Sequence, residues 1–497
     1  MNPLKKLAGQ TAVYGFPTIV GRLLNYFLVP LYTYILPPSE YGVVTELYAY
    51  VAFLMVILTY GMETTFFRFS KKENIANSVY NTSVISLLIS SLGFICIVWF
   101  FSSSISTAIG YANHTEYIIW FAWILGLDAL SAVPFARLRE LNKARRFAIL
   151  KSVNISLQIG FNLFFIVLCP WLDRNFGNSF VGNILHWFYN PFIGVGYIFI
   201  SNLIASAITL LLLVPEIMDI KLNFDKQLWK QMLKYALPIM VWGMAGIVNE
   251  TFDRILLKHL VTEAEHPMVQ LGIYGACYKV AILMTLFIQT FKFAAEPFFF
   301  SQANRTDARQ IYANVMKYFI IICAFIFLGV MMYIDIIINF VGPKYRVGAP
   351  VIPILLMANL CLGVFYNLSI WYKINDKTMY GAYISVFGAI VTLILNFWLV
   401  PIMGYMGAAW ATLICYFSIM LISFILGQKH YYIKYDLKKI GLFTGLALLL
   451  YFISIWLNVE NLPVKLSINT AFILFYLAVV VYIEKEVFRK ILKKSND

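Results

Sequence analysis

Residues 380–402 read YGAYISVFGAIVTLILNFWLVPI and residues 405–427 read YMGAAWATLICYFSIMLISFILG, with no acidic, basic or imidazole side chain in either. As a helix rising 1.5 Å per residue, each stretch is about 34 Å long. That is enough to cross a hydrocarbon layer of about 30 Å. Pro401 and Gly404 mark the turn between them. Such stretches recur along the whole chain. They are read at 11–36, 42–62, 80–101, 116–136, 148–169, 191–214, 235–257, 271–293, 313–340, 349–372, 380–402, 405–427, 439–457 and 466–483.

The composition agrees. Hydrophobic residues make up 61% of the 497 and charged residues 12%, against about 25% charged in soluble domains. Mean hydropathy is +0.77. So few charges cannot cover a soluble surface of this size, and the reading is an all-α polytopic membrane protein of about 14 transmembrane helices. The first span follows only Lys5 and Lys6, with no small-residue cleavage site, so it reads as a retained helix. Six well-separated cysteines form no C-x-x-C pair, which points to packing rather than metal or redox chemistry.

The basic residues give an independent check on topology. With a cytoplasmic N-terminus, the 38 Lys and Arg divide into 28 on the inner side, 5 outside (Arg174, Lys258, Lys344, Arg346 and Lys465) and 5 within spans. That bias obeys the positive-inside rule with both termini cytoplasmic, and it explains the net charge of +14 without a nucleic-acid partner. The longest outer connection, 170–190, leaves no room for a soluble catalytic domain.

An offset of 233 positions brings polar residues of the two halves into register. Tyr41-Gly42 meets Tyr274-Gly275, Glu46 meets Lys279, Glu63 meets Glu296 and Asn142 meets Asn375. Six spans separate the copies, an even number, so both run in the same direction: a parallel repeat. The chain therefore divides into an N-lobe at 1–214 with six helices, a cytoplasmic linker at 215–232, a C-lobe at 233–428 with six more, and 429–497 with two extra helices and a basic tail. Two such lobes imply a central cavity. The first helix of each carries breakers, Pro17 and Gly21 in one and Pro238, Gly243 and Gly246 in the other.

Charges inside spans are costly, about 2.5–3.5 kcal/mol at mid-helix, so each needs a partner, water or a task. The candidates are Arg22, Glu46, Asp128, Glu250, Asp253, Arg254, Lys279, Lys292 and Glu296, eight of them on helices 1, 2, 7 and 8. Bland accounts stand beside the functional one. Glu250 and Arg254 are spaced to pair as i and i+4. Lys292, Glu63 and Glu296 lie near the inner interface and can snorkel there, and Asp128 can serve as a structural hydrogen-bonding residue. Tyr26, Tyr48 and Tyr278 are near enough to stack on sugar rings, although tyrosines in membrane helices usually pack. No P-loop, H-E-x-x-H, D-x-D or G-x-S-x-G occurs, so no enzyme and no cofactor is expected.

The N-terminal tract from Lys5 through Gln10-Thr11-Ala12 to Gly21-Arg22, Asn25 and Leu28-Val29-Pro30 resembles a known family. So do Pro38-x-Glu40-Tyr41-Gly42 and Gly342-Pro-Lys-Tyr-Arg346. The family is that of the Wzx-type polysaccharide and O-antigen flippases, of the multidrug/oligosaccharidyl-lipid/polysaccharide (MOP) exporter superfamily. The resemblance implies a two-lobed transporter of the bacterial inner membrane that moves undecaprenyl-pyrophosphate-linked oligosaccharide, such as a lipopolysaccharide precursor, to the outer leaflet. It implies a pyrophosphate and sugar site drawn from Arg22, Asn25, Arg254, Lys279 and Lys292. Glu46, Asp128, Glu250 and Asp253 are left for charge pairing or for coupling to H+ or Na+, and helices 13 and 14 for the lipid tail. Membrane lipids, a polysaccharide polymerase and glycosyltransferases are the partners implied. Peptidoglycan-precursor relatives carry more cavity arginines, which speaks against lipid II as the cargo. A multidrug or cation antiporter of the same superfamily is the alternative, and a membrane-embedded polysaccharide polymerase a more distant one.

Arg22 yields the sharpest expectation. It lies near the midplane with no acidic residue three or four positions away. A pyrophosphate ligand uses the guanidinium fork bidentately. Arg22→Lys should then fold but transport poorly, and Arg22→Ala should fold and be inactive. A strut to Asp128 or Glu46 instead makes Arg22→Ala misassemble. Membrane expression together with polysaccharide export separates the two, and normal export by Arg22→Ala defeats both.

Overall fold

A computed structural model describes residues 23–24, 26–71, 75–218, 223–303, 305–375 and 377–485. Among them twelve helices are long and apolar enough to cross a membrane, and two shorter apolar helices accompany them. In chain order they are α1 (Tyr26–Ile35), α2 (Pro38–Phe69), α3 (Ala76–Phe100), α4 (Thr115–Glu140), α5 (Ala144–Phe176), α6 (Gly196–Leu212), α7 (Lys226–Leu260), α8 (Pro267–Gln302), α9 (Ala308–Met332), α10 (Val351–Ile374), α11 (Met379–Met403), α12 (Tyr405–His430), α13 (Leu437–Leu457) and α14 (Leu462–Ile483). No strand occurs among the described residues. Each expected span has its helix, α1 covering the described part of the first.

Hydrocarbon offers the backbone no partners, so only continuous helices satisfy it, and breaks occur where other groups take over. In α2 the break is the left-handed pair Tyr60 (φ 33°) and Gly61 (φ 69°). A Cβ on Gly61 would lie 3.0 Å from the Ala236 carbonyl oxygen of α7. Glycine here serves both the backbone turn and the close approach. In α5 the regular ladder gives way to a π-helical turn at Phe164–Leu168.

The chain forms two compact units, Met1–Lys258 and His259–Asp497. In the first, Met62 and Phe66 of α2 meet Val79 and Tyr80 of α3, Val133 of α4 and Met232 of α7, all but excluded from solvent. This packing holds α7 in the first unit, so the division falls after Lys258 and not in the polar stretch 215–232.

In the second unit, Cys361 and Phe365 of α10 pack on Cys415, Tyr416 and Ile419 of α12. The α11–α12 corner turns at Gly404 (φ 56°), where a Cβ would strike the Gln270 side chain at 2.1 Å. Gln270 Oε1 instead accepts from the Tyr405 N–H at 3.1 Å.

The repeat shows in matching ion pairs. Glu63 on α2 pairs with Arg139 on α4 in the first unit. Glu296 on α8 pairs with Lys373 on α10, 2.8 Å, in the second. The two glutamates are the residues that the 233-residue offset aligns. Both have partners rather than simply reaching for the membrane surface.

Helices α13 and α14 dock on α9. Ala324 and Leu328 of α9 meet Phe443 and Ala447 of α13 and Tyr476 of α14. Between apolar helices in lipid the hydrophobic effect gives little, so tight packing and polar ties hold them. The Asn469 side chain donates to the Met332 carbonyl at 2.7 Å, and Tyr476 to that of Ile321 at 3.2 Å. Glu484, just past α14 and 3% exposed, accepts from Lys317 of α9 and from Lys439 of α13, both at 2.7 Å, and from Tyr318 at 2.9 Å. Burial pushes the Glu484 carboxyl up, but these three hydrogen bonds together hold it below its ordinary value.

The tie has a sign in pH. Because the folded carboxyl titrates below its ordinary value of 4.5, its stabilisation is full above that pH and is lost as the pH falls through the folded value. Glu484→Ala leaves the Lys317 amine buried without its carboxylate and should cost about 3 kcal/mol. It should also flatten the acid limb of a thermal-unfolding series on the detergent-solubilised protein. A variant as stable as the parent from neutral pH down to the acid limb contradicts the tie.

Candidate functional site

Helix α2 starts at Pro38, where a proline costs no hydrogen bond, and Glu46 follows on the third turn. No basic residue stands within two turns of it on α2, so an ionised carboxylate there must find a cation on another helix. It finds Lys258, near the end of α7: Nζ to Oε2 is 3.0 Å, with Glu46 wholly excluded from solvent and the Lys258 side chain 14% exposed. The α3–α4 connection closes over the pair. Tyr111 Oη donates to the same Oε2 at 2.5 Å, and Lys258 Nζ donates to the Ile109 carbonyl at 2.5 Å. The ammonium also lies 4.2 Å from the centre of the Tyr111 ring, a cation–π distance. Burial, with Glu46 beside it, pushes the Tyr111 phenol far above its ordinary value, so it remains a proton donor. Glu46 Oε1 has no hydrogen-bond partner among the described residues. All of these groups belong to the first unit.

A second polar cluster links α4, α5 and α6. Asp128 takes a hydrogen bond from Ser206 and feels the charge of Lys151. The Lys151 ammonium lies 4.1 Å from the centre of the Phe135 ring. Nearby, Asn154 donates to Thr209 Oγ1 at 2.8 Å, and Asn202 donates to the Tyr48 hydroxyl at 3.1 Å. Of the two acids considered as struts for Arg22, Glu46 thus pairs with another cation, whereas Asp128 is met by the Ser206 hydroxyl with Lys151 in its neighbourhood.

Arg22 and Asn25 lie outside the described residues. Glu250 is exposed on α7 and Asp253 is buried. The Arg254 guanidinium donates to the backbone carbonyl of Glu250 at 3.0 Å, where the spacing suggested a side-chain pair, and the Asp253 carboxylate accepts from the Arg254 N–H at 2.9 Å. Lys279 is half-buried and Lys292 exposed, the latter 4.5 Å from the centre of the Tyr366 ring. Both stand on the unbroken α8, thirteen residues apart, hence about 20 Å along its axis. They cannot grip one phosphate group together. Among the described residues no cluster of ligating side chains could hold a metal ion.

Lys258, Tyr111, Lys151, Arg139 and Lys373 carry much of this chemistry and were not among the expected site residues. Lys258, read from the sequence as an outer residue, lies two residues before the end of α7. Depth was the signal that could have found it, since Glu46 too falls in the outer half of its span.

The pair is asymmetric, because Lys258 can reach water and Glu46 cannot. Lys258→Met strands a buried carboxylate and should cost about 3–5 kcal/mol. Glu46→Gln leaves an amine that Ile109 and water can serve and should cost about 1–3 kcal/mol. Thermal unfolding of the two variants and of the double variant reads the order, and equal costs would contradict the geometry.

The sequence matches the family described as polysaccharide biosynthesis protein over residues 7–303. No curated protein matches it. Among solved structures, the chain is similar to one described as lipid II flippase MurJ in an inward closed conformation: TM-score 0.73 at 13% identity, covering 96% of this chain and 99% of that one. It is also similar to an inward-facing multidrug resistance MATE family transporter of the MOP superfamily, with TM-score 0.64 at 13% identity, covering 84% of this chain and 94% of that one. A MOP superfamily transporter from Pyrococcus furiosus aligns with TM-score 0.53 at 13% identity over 84% of this chain and 95% of that one. At such identities the likeness is one of fold.

Proposed function

Because the chain belongs to the polysaccharide biosynthesis protein family, we propose that it is a flippase carrying undecaprenyl-pyrophosphate-linked oligosaccharide from the inner to the outer leaflet of the bacterial inner membrane. The observation that carries this reading is the extent of the fold. The flippase MurJ aligns with 96% of this chain, whereas the MATE transporter leaves about a sixth of it uncovered while being almost wholly covered itself. A fold that includes α13 and α14 favours a lipid-linked cargo, since their outward faces are apolar, with Phe452 60% and Trp456 82% exposed. A polyprenyl tail can lie along such a surface while the headgroup moves.

The headgroup presents the physical problem. A pyrophosphate and several sugars cannot shed water into hydrocarbon, so cations must accompany the anion. Arg22, Arg254, Lys279 and Lys292 are the residues proposed for this, with Asn25 for a sugar hydroxyl. Lys279 and Lys292, about 20 Å apart along α8, suit an anion passed from one cation to the next better than a single closed pocket. Both termini are taken as cytoplasmic from the lysine and arginine bias, with alternating access as the cycle and H+ or Na+ as coupling ion. An O-antigen or related surface polysaccharide precursor is the proposed cargo, and a polymerase and glycosyltransferases the proteins that work beside it. The antiporter reading needs carboxylates open to a cationic drug. Glu46 is instead occupied by Lys258, which leaves the exposed Glu250 as the carboxylate on which that reading rests.

The test is reconstitution of the full chain in vesicles bearing undecaprenyl-pyrophosphate oligosaccharide in the inner leaflet only. The expected outcome is protein-dependent appearance of the sugar to an external lectin, lost in Arg22→Ala. Failure to expose the sugar, together with gradient-driven uptake of a cationic dye, would assign the chain to the antiporters.

A further inference from the structure

The connection between α5 and α6, residues 177–195, is absorbed neither by the repeat nor by the transport reading. We infer that it is a membrane-surface anchor, an aromatic platform seated in the headgroup layer of the leaflet on the Tyr111 side, with lipid as its partner. Trp187 and Phe192 are each 93% exposed and Phe180 79%. Ile184 and Phe188 add half-exposed area to the same stretch, and Trp171 near the end of α5 is half-exposed as well.

The segment is folded, not loose. Ser179 caps the short helix Phe180–Leu185, and Asn190 caps the turn Pro191–Ile193. The Asn190 N–H donates to the Tyr197 hydroxyl at 2.6 Å, and the Tyr189 ring stacks on Tyr197 at 5.1 Å. Leu185 and Tyr189 are buried beneath. The chain thus spends hydrogen bonds and two inward side chains to hold the other aromatics outward. Left in water, each ring would forgo about 1.5–3 kcal/mol of burial, and contiguous apolar surface of this kind marks an interaction site.

Depth selects the partner. Helix α5 has 33 residues, about 50 Å, and its first turn carries Arg145 and Arg146, the latter tied to Glu216. With those arginines at one boundary, about 30 Å of hydrocarbon ends near Phe164–Leu168, the π-helical turn. The residues beyond that turn lie at headgroup level. Irregular backbone with Asn175, Ser179, Asn183 and Asn190 needs water nearby and cannot lie within hydrocarbon, whereas tryptophan favours that boundary. The apolar surface is continuous with the lipid-facing side chains Leu163, Val167 and Leu168 of α5, all exposed. Charge is nearly absent: between residues 171 and 193 only Asp173, Arg174 and His186 occur, and Asp173 Oδ1 is 2.8 Å from His186 Nε2. The anchor should therefore bind neutral and anionic bilayers alike.

The experiment uses the full chain with Cys96→Ser in phosphatidylcholine vesicles, spin-labelled singly through Trp187→Cys, Phe192→Cys or, as an aqueous reference on the same side, Ala112→Cys. Collisions with oxygen are compared with collisions with a water-soluble nickel chelate. At 187 and 192 the oxygen-to-chelate ratio should be several-fold higher than at 112, and unchanged when phosphatidylglycerol is mixed in. A ratio equal to that at 112 places the platform in water and overturns the inference. Shielding from both reagents overturns it too, in favour of a second protein or a second copy of this chain. The highly exposed positions chosen do not bear on folding, and the outcome is independent of what the protein transports.

Discussion

An ionised side chain in hydrocarbon must bring its counter-charge with it, and in this chain that requirement decides which helices touch. Glu46 on α2 is met by Lys258 on α7 and by the Tyr111 hydroxyl. Asp128 on α4 is met by the Ser206 hydroxyl of α6, with Lys151 of α5 near enough for its charge to act. Glu484 gathers one lysine from α9 and another from α13. Apolar packing in lipid is nearly indifferent to which helix lies against which, since tails are as apolar as leucine. A buried pair is not indifferent, because removing one partner strands the other. The apolar clusters give the bundle its density, and the ion pairs give it its arrangement.

Much of the fold was legible in the sequence because the lipid imposes one-dimensional rules. A charge-free run such as 405–427 has a single stable conformation at that depth, and α12 occupies Tyr405–His430. The repeat was legible through Glu63 and Glu296, whose partners Arg139 and Lys373 fall within one position of the same offset. The limits of the units were less so. Polarity at 215–232 suggested a boundary, but Leu228 and Met232 face the first unit's core, a matter of side-chain packing that composition does not report.

The site was legible as a set of costly charges but not as a set of pairs. Glu46 stood out by its setting, whereas Lys258 looked like an ordinary residue of an outer loop. Pairing is a tertiary fact: 212 positions separate the two, and no spacing rule reaches that far. Glu250 and Arg254 show the converse. Their i and i+4 spacing satisfied a local rule, yet the guanidinium bonds to backbone. Local rules bound what a helix can do with its charges, and the surrounding helices choose among the options.

The Glu484 junction also has a history within the making of the chain. Synthesis runs from Lys317 to Lys439 to Glu484, so two amines are made before the carboxylate that satisfies them exists. For that interval Lys317 of α9 stands without its carboxylate, and Glu484, just past α14, supplies it. The packing of α9 at that end therefore waits on α14, and the order of synthesis sets the order of burial.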